Sequence, residues 1–164
     1  MREILYDREA AIAYARRWAF ERNKRYYDFD AIGGDCTNFV SQCIYAGAEV
    51  MNYTQVTGWY YRSSYDRTAS WSGVEFLYDF LVGNRGAGPY GRAVRQTDAE
   101  PGDVVQLGRK ENKYYHHSLI ILNTYPEITV AAHSADALDV PLTSYRYDYV
   151  RFLHIDGVRK NGLL

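Results

Sequence analysis

The apolar residues of the N-terminal half recur with the 3.6-residue period of an α-helix. One set predicts a helix over about residues 8–23, with Asp7 as its N-cap. A later set, within residues 76–81, predicts a helix that begins with the capping box Ser72–Glu75 and ends at Gly83. Because each helix has a single apolar face, both are expected to pack on a common core.

The most informative predicted helix begins at Cys36 and ends at Gly47. Its apolar positions follow the spacing i+3, i+4, i+7 and i+8 from the cysteine: Phe39, Val40, Cys43 and Ile44. Asp35 stands at the expected N-cap, after two glycines that allow a tight bend. A thiol in a first helical turn lies near unpaired N–H groups and the positive end of the helix dipole, which favour the thiolate. Cys36 is therefore the predicted nucleophile. The alternative, a small buried hydrophobe, is the preferred interpretation of Cys43.

The C-terminal half changes to a period of two. Four strands are predicted, at residues 104–107, 114–122, 128–133 and 150–155. Helices followed by antiparallel strands indicate an α+β fold, and the 164 residues suit a single domain. Residues 48–70 show no steady period and residues 84–91 are rich in glycine, so both segments are predicted loops.

The charge and hydropathy of the sequence argue against several classes of binding partner. A net charge of −1 and a pI near 6.4 argue against a nucleic-acid partner or an anionic membrane surface. No apolar run is long enough for membrane insertion, and no secretory signal is visible. The sequence as written thus predicts a soluble cytoplasmic protein, or a secreted or wall-associated one if a leader has been removed.

Aromatic residues cluster in the predicted loop at residues 48–70 and just after it. They are Trp59, Tyr60, Tyr61 and Trp71. Either these rings line a substrate groove or they fix the loop to the core, and the sequence leaves both possibilities open.

A cysteine nucleophile needs a base, and the base needs an orienting group. A five-residue turn centred on Tyr125 would pair Leu122 with Ile128, and the same count places His117 opposite His133. His117 is then the predicted base and His133 its orienting group; the alternative is that His133 merely ends a strand and that His116 and His117 are surface polar residues.

Two neighbours complete this prediction. Asp136 is a reserve orienting group, because it lies just past the predicted strand. His116 is expected on the opposite sheet face together with Ser118 and Ile120, and a slip of one residue in the strand register would exchange His116 for His117.

Several motifs together resemble the bacterial putative amidase domain family, which is related to CHAP-type amidases and NlpC-type peptidases of the papain-like superfamily. The motifs are Asp35-Cys36-Thr37-Asn38-Phe39-Val40-Ser41-Gln42-Cys43, Trp59-Tyr60-Tyr61, Ser70-Trp71, Gly102-Asp103-Val104-Val105-Gln106, His117-Ser118 and His133-Ser134-Ala135-Asp136. The likeness runs from about residue 7 to 155. It implies a papain-like α+β fold with Cys36 as nucleophile, His117 as base and His133 as orienting group.

The implied reaction is amide hydrolysis through an acyl-enzyme, on a peptide or a peptidoglycan-like substrate, with no metal or cofactor. The backbone N–H of Cys36 is the natural oxyanion donor, and Tyr27 and Asn38 are candidates for the second. Two alternatives remain. One is a non-catalytic peptide- or wall-binding module on the same fold, and the other is a zinc site formed by Cys36, His117 and His133.

Overall fold

The computed structural model describes residues 1–162, and it has four helices beside a large antiparallel sheet. The helices are α1 (Arg8–Trp18), α2 (Cys36–Ala48), α3 (Ala69–Ser72) and α4 (Val74–Gly83). The strands are β1 (Arg2–Ile4), β2 (Tyr61–Ser63), β3 (Asp66–Arg67), β4 (Gly88–Val94), β5 (Val104–Arg109), β6 (Tyr114–Asn123), β7 (Thr129–Ala132), β8 (Ala137–Pro141) and β9 (Tyr149–Lys160). The predicted α+β class is confirmed.

The large sheet has seven strands, in the order β1-β9-β5-β6-β7-β8, with β4 also paired to β9. β4 and β5 both pair with Phe152 of β9, so they lie on opposite edges of this strand. Two strands, β2 and β3, form a separate small hairpin. β6, in the centre of the large sheet, carries Ser118, whose hydroxyl lies 3.0 Å from that of Thr37, the residue after Cys36.

The sheet is apolar on both faces. α1, α2 and α4 cover one face, where Val104, Ile120 and Leu153 join the main core. The second face carries Leu107, Leu119 and Ile121 and is covered by the segment that follows β8. We call these the helix face and the outer face. Alternation along a strand assigns each side chain to one of them.

Several boundaries differ from the sequence prediction. Asp7 caps α1 as predicted, since its Oδ1 accepts from Ala10 N at 3.0 Å, but α1 ends at Trp18 and not near residue 23. The capping box was wrong, because Ser72 ends α3 and Gly73 precedes α4. The segment predicted as loop at 84–91 instead enters β4, where it pairs with β9. None of the helices in residues 1–162 has the length and apolar character needed to cross a membrane.

Candidate active site

Cys36 is the first residue of α2, as predicted, and its side chain is largely buried, with 8% of its surface exposed. Within residues 1–162 its backbone N–H has no hydrogen-bond partner. The approach to the helix requires glycine, since Gly34 has φ +103° and a Cβ there would lie 3.3 Å from Ser134 Oγ. Cys36 therefore combines a thiol and an unpaired N–H at one helix start.

Asp35 does not cap α2, and this part of the prediction was wrong. Its carboxylate is buried and turns away from the helix start. Oδ1 accepts from the backbone N–H of Phe29 at 2.9 Å and from Asn38 Nδ2 at 2.8 Å, and Oδ2 lies 2.6 Å from His133 Nδ1. The carboxylate of Asp35 therefore binds these three groups and none of the backbone N–H groups in the first turn of α2.

His133 is tied to three elements. Its Nε2 lies 2.7 Å from the carbonyl oxygen of Trp18, at the end of α1, and its Nδ1 faces Asp35. The ring stacks on Phe39 of α2 with centroids 3.9 Å apart. Since a carbonyl only accepts, Nε2 carries a proton. Both ring nitrogens are occupied, so this His133 contacts Asp35 and Trp18 and does not orient His117.

The predicted juxtaposition of His117 and His133 was wrong by one residue. β6 and β7 pair through Ile120 with Ala131, and an irregularity between Ile121 and Asn123 shifts the register beyond that point. Extending the observed register by two places aligns His133 with Ser118. Ser118 faces α2, where its hydroxyl lies 3.0 Å from Thr37 Oγ1.

His117 consequently lies on the outer face. It pairs with Leu107, and its ring centroid is 5.9 Å from that of Tyr145. Burial, together with a smaller effect of the neighbouring His116, lowers the pKa of His117 to about 4. Among the described residues no hydrogen bond joins either histidine to the Cys36 sulfur. His116 was expected to share a face with Ser118 and Ile120, and these two residues lie on the helix face. The register shift between Leu107 and Gly108 interrupts the alternation of β6 at His116 itself.

The thiol of Cys36 is not the thiolate that the helix position predicted. Burial raises the pKa of Cys36 above its ordinary value, and the negative charge of Asp35 adds to the effect. Hydrogen bonds from the backbone of Ser118 and from Thr37 act in the opposite direction but do not offset the desolvation. Because the pKa of Cys36 is raised, its resting form at neutral pH is the neutral thiol.

Two of the three secondary candidates, Asp136 and Asn38, have structural partners for their side chains. Asp136 binds Arg22 with oxygen–nitrogen distances of 2.9 and 3.0 Å instead of approaching His117. Asn38 uses its amide nitrogen on Asp35 and on the carbonyl of Tyr27, 2.9 Å away. The carbonyl oxygen of Asn38 accepts from Trp71 Nε1 at 2.9 Å. The Asn38 side chain is therefore fully engaged, whereas the Tyr27 ring is exposed.

The aromatic cluster belongs to the core, which is one of the two possibilities that the sequence left open. Trp59 and Trp71 are completely buried, and Tyr60 and Tyr61 nearly so. The two indole rings pack with centroids 4.7 Å apart, and Trp59 Nε1 donates to Ser41 Oγ at 3.1 Å. These rings fix the segment before α3 onto α2.

The geometry of residues 1–162 offers no zinc site at Cys36. Within residues 1–162 no three His, Cys, Asp or Glu side chains converge as metal ligands. A cavity of about 540 Å³ lies between Phe76, Phe80 and Asn84, and its lining does not include Cys36 or either histidine.

Comparison with known proteins identifies the class. Residues 5–155 match the putative amidase domain, and the chain belongs to this family. The family name points to an amidase-like hydrolase. The chain is also similar to the uncharacterized protein YhbB of Bacillus subtilis, with 33% identity over 126 residues that cover 74% of this chain and 38% of YhbB. The chain thus spans well under half the length of this relative. No solved structure matches it.

Proposed function

We propose that this chain is a cysteine-dependent amide hydrolase with Cys36 as its nucleophile. The main support is the position of Cys36, at a helix start with a free backbone N–H and beside the strand that carries His116 and His117. Membership of an amidase family supports the reaction class. The resemblance to papain-like enzymes supports the thiol mechanism.

The chemistry follows from a neutral resting thiol. A histidine accepts the proton of Cys36 as the sulfur attacks the amide carbonyl, and the Cys36 N–H stabilises the oxyanion. The same histidine then protonates the departing amine, and water hydrolyses the thioester to release the acid and restore the thiol. Hydrogen bonds of this kind often tighten only with substrate bound, so the resting separation of thiol and imidazole is compatible with the mechanism.

We assign the base to the pair His116–His117. The resemblance gives this role to His117, whereas the observed register places His117 on the outer face. His116 is exposed and lies where the strand is irregular. His133 acts as a positioning residue, since it holds Asp35 and Phe39 on either side of the nucleophile.

The proposed substrate is a peptide or a peptidoglycan-like amide, on the family resemblance. The test is digestion of a peptide panel and purified peptidoglycan, with mass spectrometry of the products. Wild type and Cys43→Ala should release identical products and Cys36→Ala none. Cys43 is a matched control, because it is a buried cysteine of the same helix. Turnover by Cys36→Ala would contradict the mechanism, and binding without turnover by wild type would support a binding module instead.

A further inference from the structure

A buried glutamine lies behind Cys36 in the centre of the sheet. Gln106 of β5 is completely buried, and its side-chain amide uses both ends. Oε1 accepts from Arg151 Nε at 2.8 Å. Nε2 donates to the carbonyl of Val74 at 2.9 Å and to Ser118 Oγ at 3.2 Å. The guanidinium can only donate, so it fixes which end of the amide faces Ser118.

The remaining hydroxyls have their directions set in turn. Ser118 Oγ accepts from Gln106, and the acceptor within reach of its own proton is Thr37 Oγ1, 3.0 Å away. The hydroxyl of Thr37 has two neighbours among residues 1–162, Ser118 Oγ and the sulfur of Cys36 at 3.7 Å. Because Ser118 donates to Thr37, Thr37 is left to donate to the sulfur.

The far end of this chain of hydrogen bonds carries a permanent positive charge. Arg151 lies between the rings of Tyr78 and Tyr115, with its guanidinium carbon 3.8 and 3.9 Å from their centroids. Its Nη2 binds Glu75 Oε1 at 3.0 Å. Two aromatic faces and a carboxylate hold the guanidinium in place, so Gln106 has a fixed donor.

We propose that Arg151, Gln106, Ser118 and Thr37 form a one-directional hydrogen-bond chain whose last donor stabilises the anion of Cys36. Every link donates toward the sulfur, and coupled hydrogen bonds polarise one another. The inference rests on the proposed function in one respect, since it explains how a buried nucleophile reaches its anionic form. The side chains of Arg151, Gln106 and Ser118 act on the sulfur by way of Thr37 and are positioning residues, whereas the Thr37 hydroxyl contacts the sulfur itself.

Other charged groups approach Cys36 from different directions. Asp35 precedes it in the chain, His133 and Arg22 lie behind Asp35, and His116 and His117 precede Ser118 on β6. Asp35 opposes the anion, and either histidine favours it when protonated. The hydrogen-bond chain reaches Cys36 from the side of β5, so substitutions in it can be made without removing any of these charged groups.

The experiment measures the pH dependence of Cys36 alkylation by iodoacetamide, with peptide mapping to separate it from Cys43. Thr37→Val removes the last donor and keeps the side-chain shape, so the midpoint should rise and the rate at pH 8 should fall at least threefold, as expected for one hydrogen bond to a charged group. Thr37→Ser retains the hydroxyl and should restore the wild-type midpoint.

A matched control comes from the same helix. Ser41 is also buried in α2, and its hydroxyl donates to Trp71 O at 2.8 Å, outside the chain. Ser41→Ala should leave the midpoint of Cys36 unchanged. An equal shift in Ser41→Ala, or no shift in Thr37→Val, would overturn the inference.

A second variant covers the case in which Thr37→Val does not fold. Arg151→Gln removes the charge at the far end of the hydrogen-bond chain and should raise the alkylation midpoint of Cys36 by a smaller amount. An unchanged midpoint in a folded protein would contradict the proposed hydrogen-bond chain. The readout is thiol reactivity and not turnover. A shifted midpoint without hydrolysis supports the hydrogen-bond chain but not the proposed hydrolase function. Cys36-dependent hydrolysis with an unshifted midpoint supports the hydrolase function but not the hydrogen-bond chain.

Discussion

His133 Nδ1 lies 2.6 Å from Asp35 Oδ2, and both side chains are about 1% exposed. This contact joins the segment after β7 to the residue before Cys36, and the Nε2 bond to Trp18 adds the end of α1. The position of the nucleophile thus depends on a buried polar pair that links three parts of the chain.

Removing His133 should destabilise the fold. His133→Ala leaves the buried carboxylate of Asp35 without its closest partner, and breaking a buried pair in this way costs on the order of 3–5 kcal/mol in the free energy of unfolding. Urea denaturation at neutral pH measures it. His116→Ala removes an exposed imidazole and serves as the control, with an expected change within about 0.5 kcal/mol. Equal stability of the two variants would contradict the role of the pair.

The two adjacent histidines should differ in their effect on turnover. Removal of a proton-transfer group typically costs about 10²–10⁴-fold in rate, so either His116→Ala or His117→Ala should lose at least that much and the other should stay within a few-fold of wild type. The turnover rate of the double variant should be no lower than that of the less active single variant, because both lose the same proton-transfer step. Full activity in both single variants, assayed on a substrate that wild type hydrolyses, would exclude the pair as the base.

Cys36 and Cys43 should differ in alkylation of the folded protein. Burial raises the pKa of both thiols, and it does so more strongly for Cys43, which is completely buried. Labelling of Cys36 should therefore rise with pH and reach its midpoint above the ordinary thiol value of about 8.5. Cys43 should react only when urea unfolds the chain. A midpoint for Cys36 well below neutral pH would show that the helix start outweighs burial.

The starts of α1 and α2 were predictable from local patterns, because each depends on residues close in sequence. Asp7 caps α1, and α2 begins at Cys36, where the apolar spacing places it. One partner of Asp35, His133, is 98 residues away in the sequence, so this contact could not be read from the capping pattern. Tertiary contacts decided which groups the carboxylate binds.

The face of His117 illustrates a second limit. The alternation of β6 from His117 to Leu122 was predicted correctly, but one irregularity near Leu122 moved every pairing beyond it by a residue. The polar residues Gln106 and Ser118 give a signal that could have located the site, because they interrupt otherwise apolar strands and therefore need partners inside the core.

The aromatic cluster should behave as core. Trp59→Ala removes a completely buried ring that packs on Trp71 and should cost about 3–5 kcal/mol in stability. Phe76→Ala is the matched control, since this ring is 58% exposed and its loss should cost far less. Chemical denaturation of both variants distinguishes the cases. A Trp59→Ala protein that melts like wild type but loses turnover would instead indicate a substrate-binding role.

The last prediction concerns acid stability and His117. Burial lowers the pKa of His117 to about 4 in the folded chain, whereas the unfolded chain has the ordinary value of about 6.5. Between these values the unfolded state binds a proton that the folded state does not, so this group makes stability fall as pH decreases from 6.5 toward 4.

The contribution of His117 can be isolated by comparing wild type with His117→Asn, whose side chain at this position does not titrate. Relative to the variant, the free energy of unfolding of wild type should fall by on the order of 1–2 kcal/mol from pH 7 to pH 5, measured by urea denaturation. NMR titration of the His117 ring should show a neutral imidazole down to about pH 5. A difference that stays constant with pH, together with an NMR midpoint near 6.5, would show that the ring is in solvent and not buried on the outer face.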